Sequence, residues 1–227
     1  MTGEKHPAPP SPAAAAAGAG RQADSRRAAP LSDDTKLAIE IRSLVEHGQL
    51  DEARERFTSL VTTHQRRAVR IAYQYLRDAA EADEAVQDAF VKVFSHIASY
   101  REAWPFEVWF TRILINGCLD RRKARARRDR WFAPADEVAA ETEPLESVSA
   151  PAPVNPEARL LARERRARLA VAINKLEGRQ RTVFVLVHYG DCTPREVSAI
   201  TGLNESTVRV HLFRAARKLR TLLGGKA

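Results

Sequence analysis

Apolar residues recur every three or four positions along most of the chain between residues 34 and 220, which is the spacing of helices with one buried face. No long stretch alternates apolar and polar residues as a half-buried strand does. The pattern therefore predicts an all-α fold. Residues 1–33, in contrast, are rich in alanine and proline and almost free of large apolar side chains, so a disordered tail is predicted there.

Residues 34–130 carry the pattern of one helical domain. A first helix is predicted from near Asp34 to Gly48, and a second begins at Asp51. Asp78, with a glutamate three residues later, gives the capping-box pattern that begins a third helix. The apolar stripe of this third helix consists of Val86, Phe90, Val93 and Ile97.

A fourth helix is predicted after a polar-aromatic loop at residues 99–105. The helix begins with Phe106 and runs into a dense basic stretch, RRKARARR, at residues 121–128. Positive charge concentrated at one end of a helix suits contact with a polyanion.

The chemistry of the chain changes after Phe132. Residues 134–158 contain no Lys or Arg, while acidic residues and prolines are frequent, and prolines oppose regular secondary structure. Residues 131–158 are therefore predicted to be a flexible acidic linker that joins two small helical domains, residues 34–130 and 159–224. Fully extended at ~3.3 Å per residue, residues 134–157 of the linker alone span ~80 Å, which exceeds the ~50 Å between two DNA sites one and a half helical turns apart.

The second domain ends in two helices joined by a tight turn. Thr193 is placed to cap the first of them, and Glu196 is placed to complete a capping box. Gly202 suits a left-handed end to that helix, and Asn204 can cap the next. A helix-turn-helix with a basic second helix is the geometry that enters a DNA major groove. The inward-facing line of the second helix is predicted to be Val208, Leu212, Ala215 and Leu219.

Composition narrows the choice of partner. Of the 227 residues, 37 are Lys or Arg and 29 are Asp or Glu, and the formal net charge of +8 favours nucleic acid. A membrane is less favoured, because the longest strongly apolar run, residues 183–187, is far shorter than the ~20 residues that cross a bilayer. The N-terminus also lacks the pattern of a signal peptide. The two cysteines, Cys118 and Cys192, are expected to be buried thiols in a reducing cytoplasm.

Three stretches carry a more specific pattern: EADEAVQDAFVKVF (residues 81–94), FEVWFTRILINGCLDRRK (106–123) and LEGRQRTVFVLVHYGDCTPREVSAITGLNESTVRVHLFRAARKLR (176–220). In this order, separated by an acidic linker, they resemble the bacterial RNA polymerase sigma factors of the extracytoplasmic-function (ECF) group. The chain departs from the family at Glu177, where proline is common, and at Glu84, where aspartate is usual. Both changes are tolerable.

The resemblance implies a transcription initiation factor that binds core RNA polymerase, captures melted −10 DNA and reads duplex −35 DNA. It further implies an anti-sigma factor as a partner and action in the cytoplasm. The residues implied for polymerase binding are Asp83, Glu84, Gln87 and Asp88. Those implied for −10 DNA are Tyr100, Arg101, Trp104, Arg112, Asn116, Asp120 and Arg121, and those for −35 DNA are Ser206, Thr207, Arg209, His211, Phe213 and Arg214.

The chemistry of these residues suits the implied roles. Unstacked bases are stabilised by aromatic stacking beside a cationic track, at ~1–3 kcal/mol per base. Tyr100 and Trp104 are expected to be exposed for this purpose, whereas Phe106, Trp109 and Phe110 are expected to be structural. An arginine that contacts guanine in the major groove contributes ~1–3 kcal/mol of discrimination, which suits the arginines of the helix-turn-helix.

Two other classes of function stay open at this point. One is a helix-turn-helix activator that does not replace a sigma factor, whose N-terminal part should show a receiver or ligand-binding fold. The other is an enzyme acting on nucleic acid, with Asp83, Glu84 and Asp88 as candidate metal-binding carboxylates. No Gly-rich phosphate loop, paired-cysteine motif or nucleophile elbow appears, and His188 with Cys192 supplies too few ligands for zinc. No catalysis, cofactor or metal is therefore expected.

Overall fold

The computed structural model describes residues 31–132 and 155–224, which form helices and no strand within those ranges. The predicted all-α fold is therefore confirmed for this part of the chain. Most of the predicted tail and of the predicted linker lie outside the described residues. The α-helices are α1 (Asp33–Glu46), α2 (Leu50–Leu76), α3 (Ala79–Ser95), α4 (Phe106–Phe132), α5 (Pro156–Asn174), α6 (Gly178–His188), α7 (Pro194–Thr201) and α8 (Glu205–Leu222).

Helix α2 is the centre of the first helical domain and packs against α1, α3 and α4. It is one unbroken helix of 27 residues. The predicted stripe of α3 is confirmed, because its residues are all buried and continue into a short 3₁₀ turn at Ile97–Ser99. Aromatic rings link three helices: Phe90 of α3 stacks on Phe110 of α4 with centroids 4.7 Å apart and meets Phe57 of α2 edge-on at 6.2 Å.

Local side-chain bonds fix where these helices begin and end. Ser32 caps α1, and its side chain accepts a bond from the Thr35 backbone amide at 3.3 Å. Asp78 caps α3 as predicted, and its carboxylate accepts from the Glu81 amide at 2.8 Å. Between α2 and α3 the chain turns through Arg77, whose left-handed φ of 60° ends α2 abruptly. Helix α1 therefore begins at Asp33, the last residue of the predicted tail.

The second helical domain is built around α8, which packs against α5, α6 and α7. Thr193 and Glu196 form both bonds of the predicted capping box at the start of α7. Gly202 ends α7 with φ 73°, a left-handed conformation that glycine adopts without strain. Asn204 occupies the cap position of α8, but its side chain forms no capping bond. Of the predicted inward line of α8, Val208, Ala215 and Leu219 are buried and Leu212 is half-buried.

The two helices that border the predicted linker extend into it. Helix α4 continues to Phe132, and α5 begins at Pro156 rather than near residue 159. Pro156 occupies the first helical turn, where its fixed φ and missing amide hydrogen are tolerated. The Asn155 side chain caps the helix by accepting from the Glu157 amide at 3.0 Å. The sequence predicts that the prolines of this segment oppose regular structure, but Pro156 begins a helix.

The described residues from Ser32 onward belong to one compact unit, so the two sets of helices contact each other. Helices α4 and α7 pack against each other, and two arginines, Arg67 of α2 and Arg77 just after it, add hydrogen bonds between the two sets. Arg67 donates to the Gly190 carbonyl and lies 3.3 Å from the Cys192 sulfur. Arg77 donates to the Ala170 carbonyl at 3.0 Å.

A third arginine crosses the contact in the opposite direction. Arg181 of α6 is 5% exposed and donates to the Gln74 carbonyl of α2. Its guanidinium also lies 5.9 Å from the centre of the Tyr75 ring. Burial lowers the pKa of Arg181 to about 10, because the charged form loses water that the protein only partly replaces.

Candidate nucleic-acid interface

Helix α3 presents one polar face and one buried face. Asp83, Glu84, Gln87 and Asp88 are all exposed, as the sequence predicts for the polymerase-binding set. The opposite face is apolar and buried against α2 and α4. Because helical residues three and four apart share a face, the two carboxylates Glu84 and Asp88 are neighbours on the outer surface.

An arginine of α4 binds both of those carboxylates. Arg121 Nη1 donates to Glu84 Oε2 at 2.9 Å, and Arg121 Nη2 donates to Asp88 Oδ2. One turn further along α4, Arg125 pairs with Glu81 at 3.6 Å. Burial disfavours the charged form of Arg121, but the two carboxylate bonds outweigh it, so the pKa of Arg121 is raised. The predicted polymerase-binding and −10 sets therefore meet at Arg121.

A groove of about 440 Å³ runs between α3 and α4 beside these ion pairs. Its floor contains the small residues Ala85, Ala89 and Gly117, which leave room between the helices. Asp120 and Arg127 line its rim together with Arg121 and Lys92. The groove thus has a small apolar floor and charged walls of both signs.

The prediction that Tyr100 is exposed is wrong. Its side chain is 0% exposed, because the ring packs 5.1 Å from Trp109 and edge-on to Phe106 at 6.2 Å. The hydroxyl donates to the Trp104 carbonyl at 3.0 Å, across the loop. Burial raises the pKa of Tyr100, so it stays a neutral donor. Tyr100 therefore shapes the loop and is covered from solvent.

The other aromatic residues of this region behave as predicted. Trp104 is 40% exposed, whereas Phe106 and Phe110 are buried and Trp109 is half-buried. The Arg195 guanidinium of α7 lies 6.0 Å from the centre of the Trp104 ring. Trp104 is thus the aromatic side chain of the loop that solvent, or a base, can reach.

An arginine of α1 holds the loop from behind. Arg42 Nη1 donates to the Tyr100 carbonyl at 2.8 Å, and Arg42 Nη2 pairs with Glu102 at 2.8 Å. Arg101 is exposed and donates back to the Ala98 carbonyl at 3.2 Å. Sequence reasoning missed Arg42, because nothing local to residue 42 signals a contact 58 residues away.

Helix α4 carries a line of exposed polar residues away from the loop. Arg112, Asn116 and Asp120 are all exposed, and their spacing of four places them on one face of the helix. Lys123 pairs with Asp120 at 3.3 Å. The line combines a cation, an amide and a carboxylate, which offers hydrogen-bond donors and acceptors to an unpaired base.

Helix α8 exposes most of the predicted −35 set. Ser206, Arg209 and Arg214 are exposed, and Phe213 is 70% exposed. Thr207 and His211 are half-buried. The Nδ1 atom of His211 is buried and has no hydrogen-bond partner among the described residues. The outer face of α8 is thus basic, with one large exposed ring.

One group within the described ranges could offer three metal-ligand atoms: Asp34, His64 and Glu107. His64 Nε2 lies 3.1 Å from Asp34 Oδ2, and the three ligand atoms lie within 4.8 Å of one another. Burial lowers the pKa of His64, although both carboxylates oppose that effect. Asp34 and Glu107 also stand in the first turns of α1 and α4, where a helix end stabilises negative charge. The group ties three helices together beside the loop.

Both cysteines are free and buried, as predicted. Burial raises the pKa of the Cys118 thiol to about 12 and also raises that of Cys192. No helix in the described ranges is long and apolar enough to cross a membrane.

Family comparisons match both helical domains. The Sigma-70 region 2 family matches residues 60–128, and the Sigma-70 region 4 family matches residues 166–219. RNA polymerase sigma factor CnrH of Cupriavidus metallidurans is 30% identical over 167 residues, covering 74% of this chain and 86% of that protein. RNA polymerase sigma-H factor of Pseudomonas aeruginosa is 28% identical over 175 residues, covering 77% of this chain and 89% of that protein.

Solved structures show a similar fold. The structure of CnrH in complex with the cytosolic domain of CnrY matches with a TM-score of 0.57 at 24% identity, covering 84% of this chain and 96% of that one. The sigma factor RpoE of Bartonella quintana, in complex with the anti-sigma factor NepR, matches with a TM-score of 0.58 at 19% identity. That match covers 74% of this chain and 96% of that one.

These findings decide between the functions that the sequence left open. A region 2 match over α2 to α4 disfavours an activator, whose N-terminal part would need a sensing or receiver fold. The chain is 30% identical to CnrH over most of both chains, and it carries region 2 before region 4. The chain belongs to the ECF sigma factors, the transcription initiation factors that bind core RNA polymerase and direct it to promoters.

Proposed function

We propose that this sigma factor divides its work among three surfaces. The exposed acidic face of α3 binds core RNA polymerase, the loop at residues 99–105 with α4 captures melted −10 DNA, and α8 reads the −35 element. The observation that carries the proposal is that most residues of these sets are exposed, while the other faces of their helices are buried. A face that is polar and accessible on a packed helix is available to a partner.

At the −10 element, Trp104 is the residue we assign to base contact. A base that stacks on its ring gains ~1–3 kcal/mol, and the exposed line of Arg112, Asn116 and Asp120 on α4 offers polar contacts to the strand. Tyr100 acts differently from the sequence prediction. It positions the Trp104 backbone through its buried hydroxyl, so its effect on DNA passes through the loop.

At the −35 element, α8 offers two kinds of contact. Ser206 and Thr207 lie in its first turn, where backbone amides and hydroxyls bind phosphate. Arg209 and Arg214 are exposed further along and can reach base edges. His211 lies between them in the sequence and is half-buried, so only the part of its ring that solvent reaches is available to DNA.

The proposed domain division is residues 34–130 for polymerase and −10 DNA and residues 159–224 for −35 DNA, joined by the acidic segment at 131–158. Its support is the match of one family region to each part of the chain. The protein acts by binding, as sigma factors do, and the reaction belongs to the polymerase. We place this action in the cytoplasm, where bacterial transcription occurs.

An anti-sigma factor is the proposed restraining partner. The two solved structures described above are complexes, one with the cytosolic domain of CnrY and one with the anti-sigma factor NepR. A protein that covers the α3 face or the loop would block the two surfaces proposed for polymerase and −10 DNA.

Run-off transcription tests the proposed function directly. Core polymerase from the host bacterium, free of other sigma factors, is mixed with the chain and a library of host promoters, and start sites are determined. The chain alone should confer promoter-specific transcripts on the core enzyme. Transcripts that appear only when a second sigma factor is added would assign the chain to activators instead. A Glu84→Arg, Asp88→Arg variant should abolish retention on core polymerase, and unchanged co-elution would refute the α3 surface.

A further inference from the structure

Arg121 stands in two of the proposed surfaces at once. It belongs to the −10 set by its position on α4, yet its guanidinium binds Glu84 and Asp88 of the polymerase-binding face. The planar guanidinium spans the two carboxylates, with one nitrogen toward each. The charge of two exposed acids is therefore partly neutralised from within the chain.

The ion pairs are open to exchange. The Glu84 and Asp88 side chains are 65% and 60% exposed, so a partner can approach them from solvent. The Arg121 side chain is 29% exposed and sits on the inner side of the pair. Exposed ion pairs contribute little net stability, because water solvates the separated charges well. A cation that comes with a large complementary surface can therefore replace Arg121.

Packing of α3 on α4 does not depend on this arginine. Phe90 and Phe110 stack between the helices, and Val86, Ala89 and Leu114 are buried. A second ion pair, Arg125 with Glu81, remains one turn away. The apolar residues therefore hold α3 against α4 without the bonds from Arg121 to the carboxylates.

We propose that Arg121 is an internal counter-ion which cationic side chains of the polymerase displace when they bind Glu84 and Asp88. The released guanidinium then becomes available to a backbone phosphate of the melted −10 strand. This inference rests on the proposed assignment of α3 to polymerase and α4 to −10 DNA. It makes Arg121 a positioning residue that links the two binding events: it weakens polymerase binding and strengthens DNA capture after that binding.

The test compares Arg121→Gln with the wild type in two assays. Affinity for core polymerase is measured by titration of labelled chain, and −10 capture is measured as retention of single-stranded −10 oligonucleotide by the assembled holoenzyme. We expect Arg121→Gln to bind core polymerase roughly two- to tenfold more tightly, because the carboxylates lose their competitor. The same variant should retain the oligonucleotide less well, by roughly twofold or more, since one phosphate contact is lost.

Matched variants separate this effect from a change in net charge. Arg66 is exposed on α2 and has no ion pair within the described ranges, so Arg66→Gln removes one positive charge elsewhere. It should leave polymerase affinity unchanged. In a Glu84→Gln, Asp88→Asn background, Arg121→Gln should have no further effect on polymerase affinity, because no carboxylate remains to be released.

The possible results are distinguishable. Weaker or unchanged polymerase binding by Arg121→Gln, with normal thermal unfolding, overturns the counter-ion role. A tighter binding that persists in the Glu84→Gln, Asp88→Asn background also overturns it. If the wild type itself fails to bind core polymerase, or if Glu84→Gln with Asp88→Asn binds as well as the wild type, the proposed surface fails first. Arg121→Lys keeps the positive charge but cannot bind both carboxylates with two nitrogens. Its affinity for core polymerase should therefore lie between those of Arg121→Gln and the wild type.

Discussion

The hydroxyl of Tyr100 donates a hydrogen bond to the Trp104 carbonyl at 3.0 Å and closes the loop that precedes α4. The buried residue of this pair fixes the backbone, and the exposed residue presents its ring to solvent. A single loop therefore combines a rigid support with an accessible aromatic surface, which would lower the entropy lost if the loop binds a base as we propose.

Tyr100→Phe should separate loop geometry from fold. The variant keeps the packed ring but removes the bond to the Trp104 carbonyl, so the free energy of unfolding should fall by about 0.5–1.5 kcal/mol. Promoter opening, followed by permanganate reactivity of unpaired thymines, should decrease while affinity for core polymerase is retained. Normal opening by Tyr100→Phe would show that the loop does not need this bond.

Trp104→Ala should act on DNA and hardly on stability. The side chain is 40% exposed, so its removal costs little packing, but a stacked base would lose ~1–3 kcal/mol. Binding of a single-stranded −10 oligonucleotide to holoenzyme should weaken by roughly 5- to 150-fold. Trp104→Phe keeps an aromatic face and should recover much of the loss. Equal affinities of all three proteins would remove Trp104 from the −10 contact.

Arg214→Ala should reduce discrimination between −35 sequences. Loss of a base-edge contact costs ~1–3 kcal/mol on the matched sequence and little on a scrambled one. Arg220, exposed in the last turn of α8, is the matched comparison. Arg220→Ala should weaken binding to both sequences equally. Equal losses for Arg214→Ala on matched and scrambled duplexes would place Arg214 on the DNA backbone.

The stability of the first helical domain should depend on pH through His64. Burial holds the pKa of His64 below its ordinary value of 6.5, so the folded state binds fewer protons than the unfolded state. The contribution of this group to stability is complete above pH ~6.5 and declines as the pH falls below that value.

Urea unfolding at several pH values checks this prediction. The wild type should lose stability between pH 7 and pH 5, and His64→Gln should lose less over the same interval. The comparison uses the slope with pH, since the variant also loses packing against Phe106 and Phe110. Parallel slopes for the two proteins would contradict the assigned titration.

Features that depend on neighbouring residues were predictable from the sequence. The capping box of Thr193 and Glu196 and the left-handed Gly202 require only a few adjacent positions, and each is confirmed. The stripe of α3 follows from helical spacing alone. Pro156 shows the limit of local rules, because proline breaks a helix interior yet suits the first turn.

Features that depend on distant residues could not be predicted from the sequence. The Tyr100 ring is buried against Trp109 and Phe106, and the Tyr100 carbonyl is held by Arg42, which lies 58 residues earlier. The position of Arg121 in a basic run indicated contact with nucleic acid, and its spacing gave no sign of Glu84, 37 residues away. An aromatic or a cation in a polar stretch has the same local pattern whether tertiary contacts cover it or leave it free.

Three of the arginines that join the two sets of helices bind carbonyl oxygens, and this choice of acceptor has an electrical consequence. Arg67, Arg77 and Arg181 each donate to a main-chain carbonyl of the other set, a dipole that leaves their net charge uncancelled. Within the described ranges, separation of the two sets would break one exposed ion pair, Arg70 with Asp191 at 3.6 Å, and would uncover the charge of these three arginines. A polyanion that ran along the opened surface would gain those guanidiniums as new contacts, so DNA itself would favour the extended arrangement over the packed one.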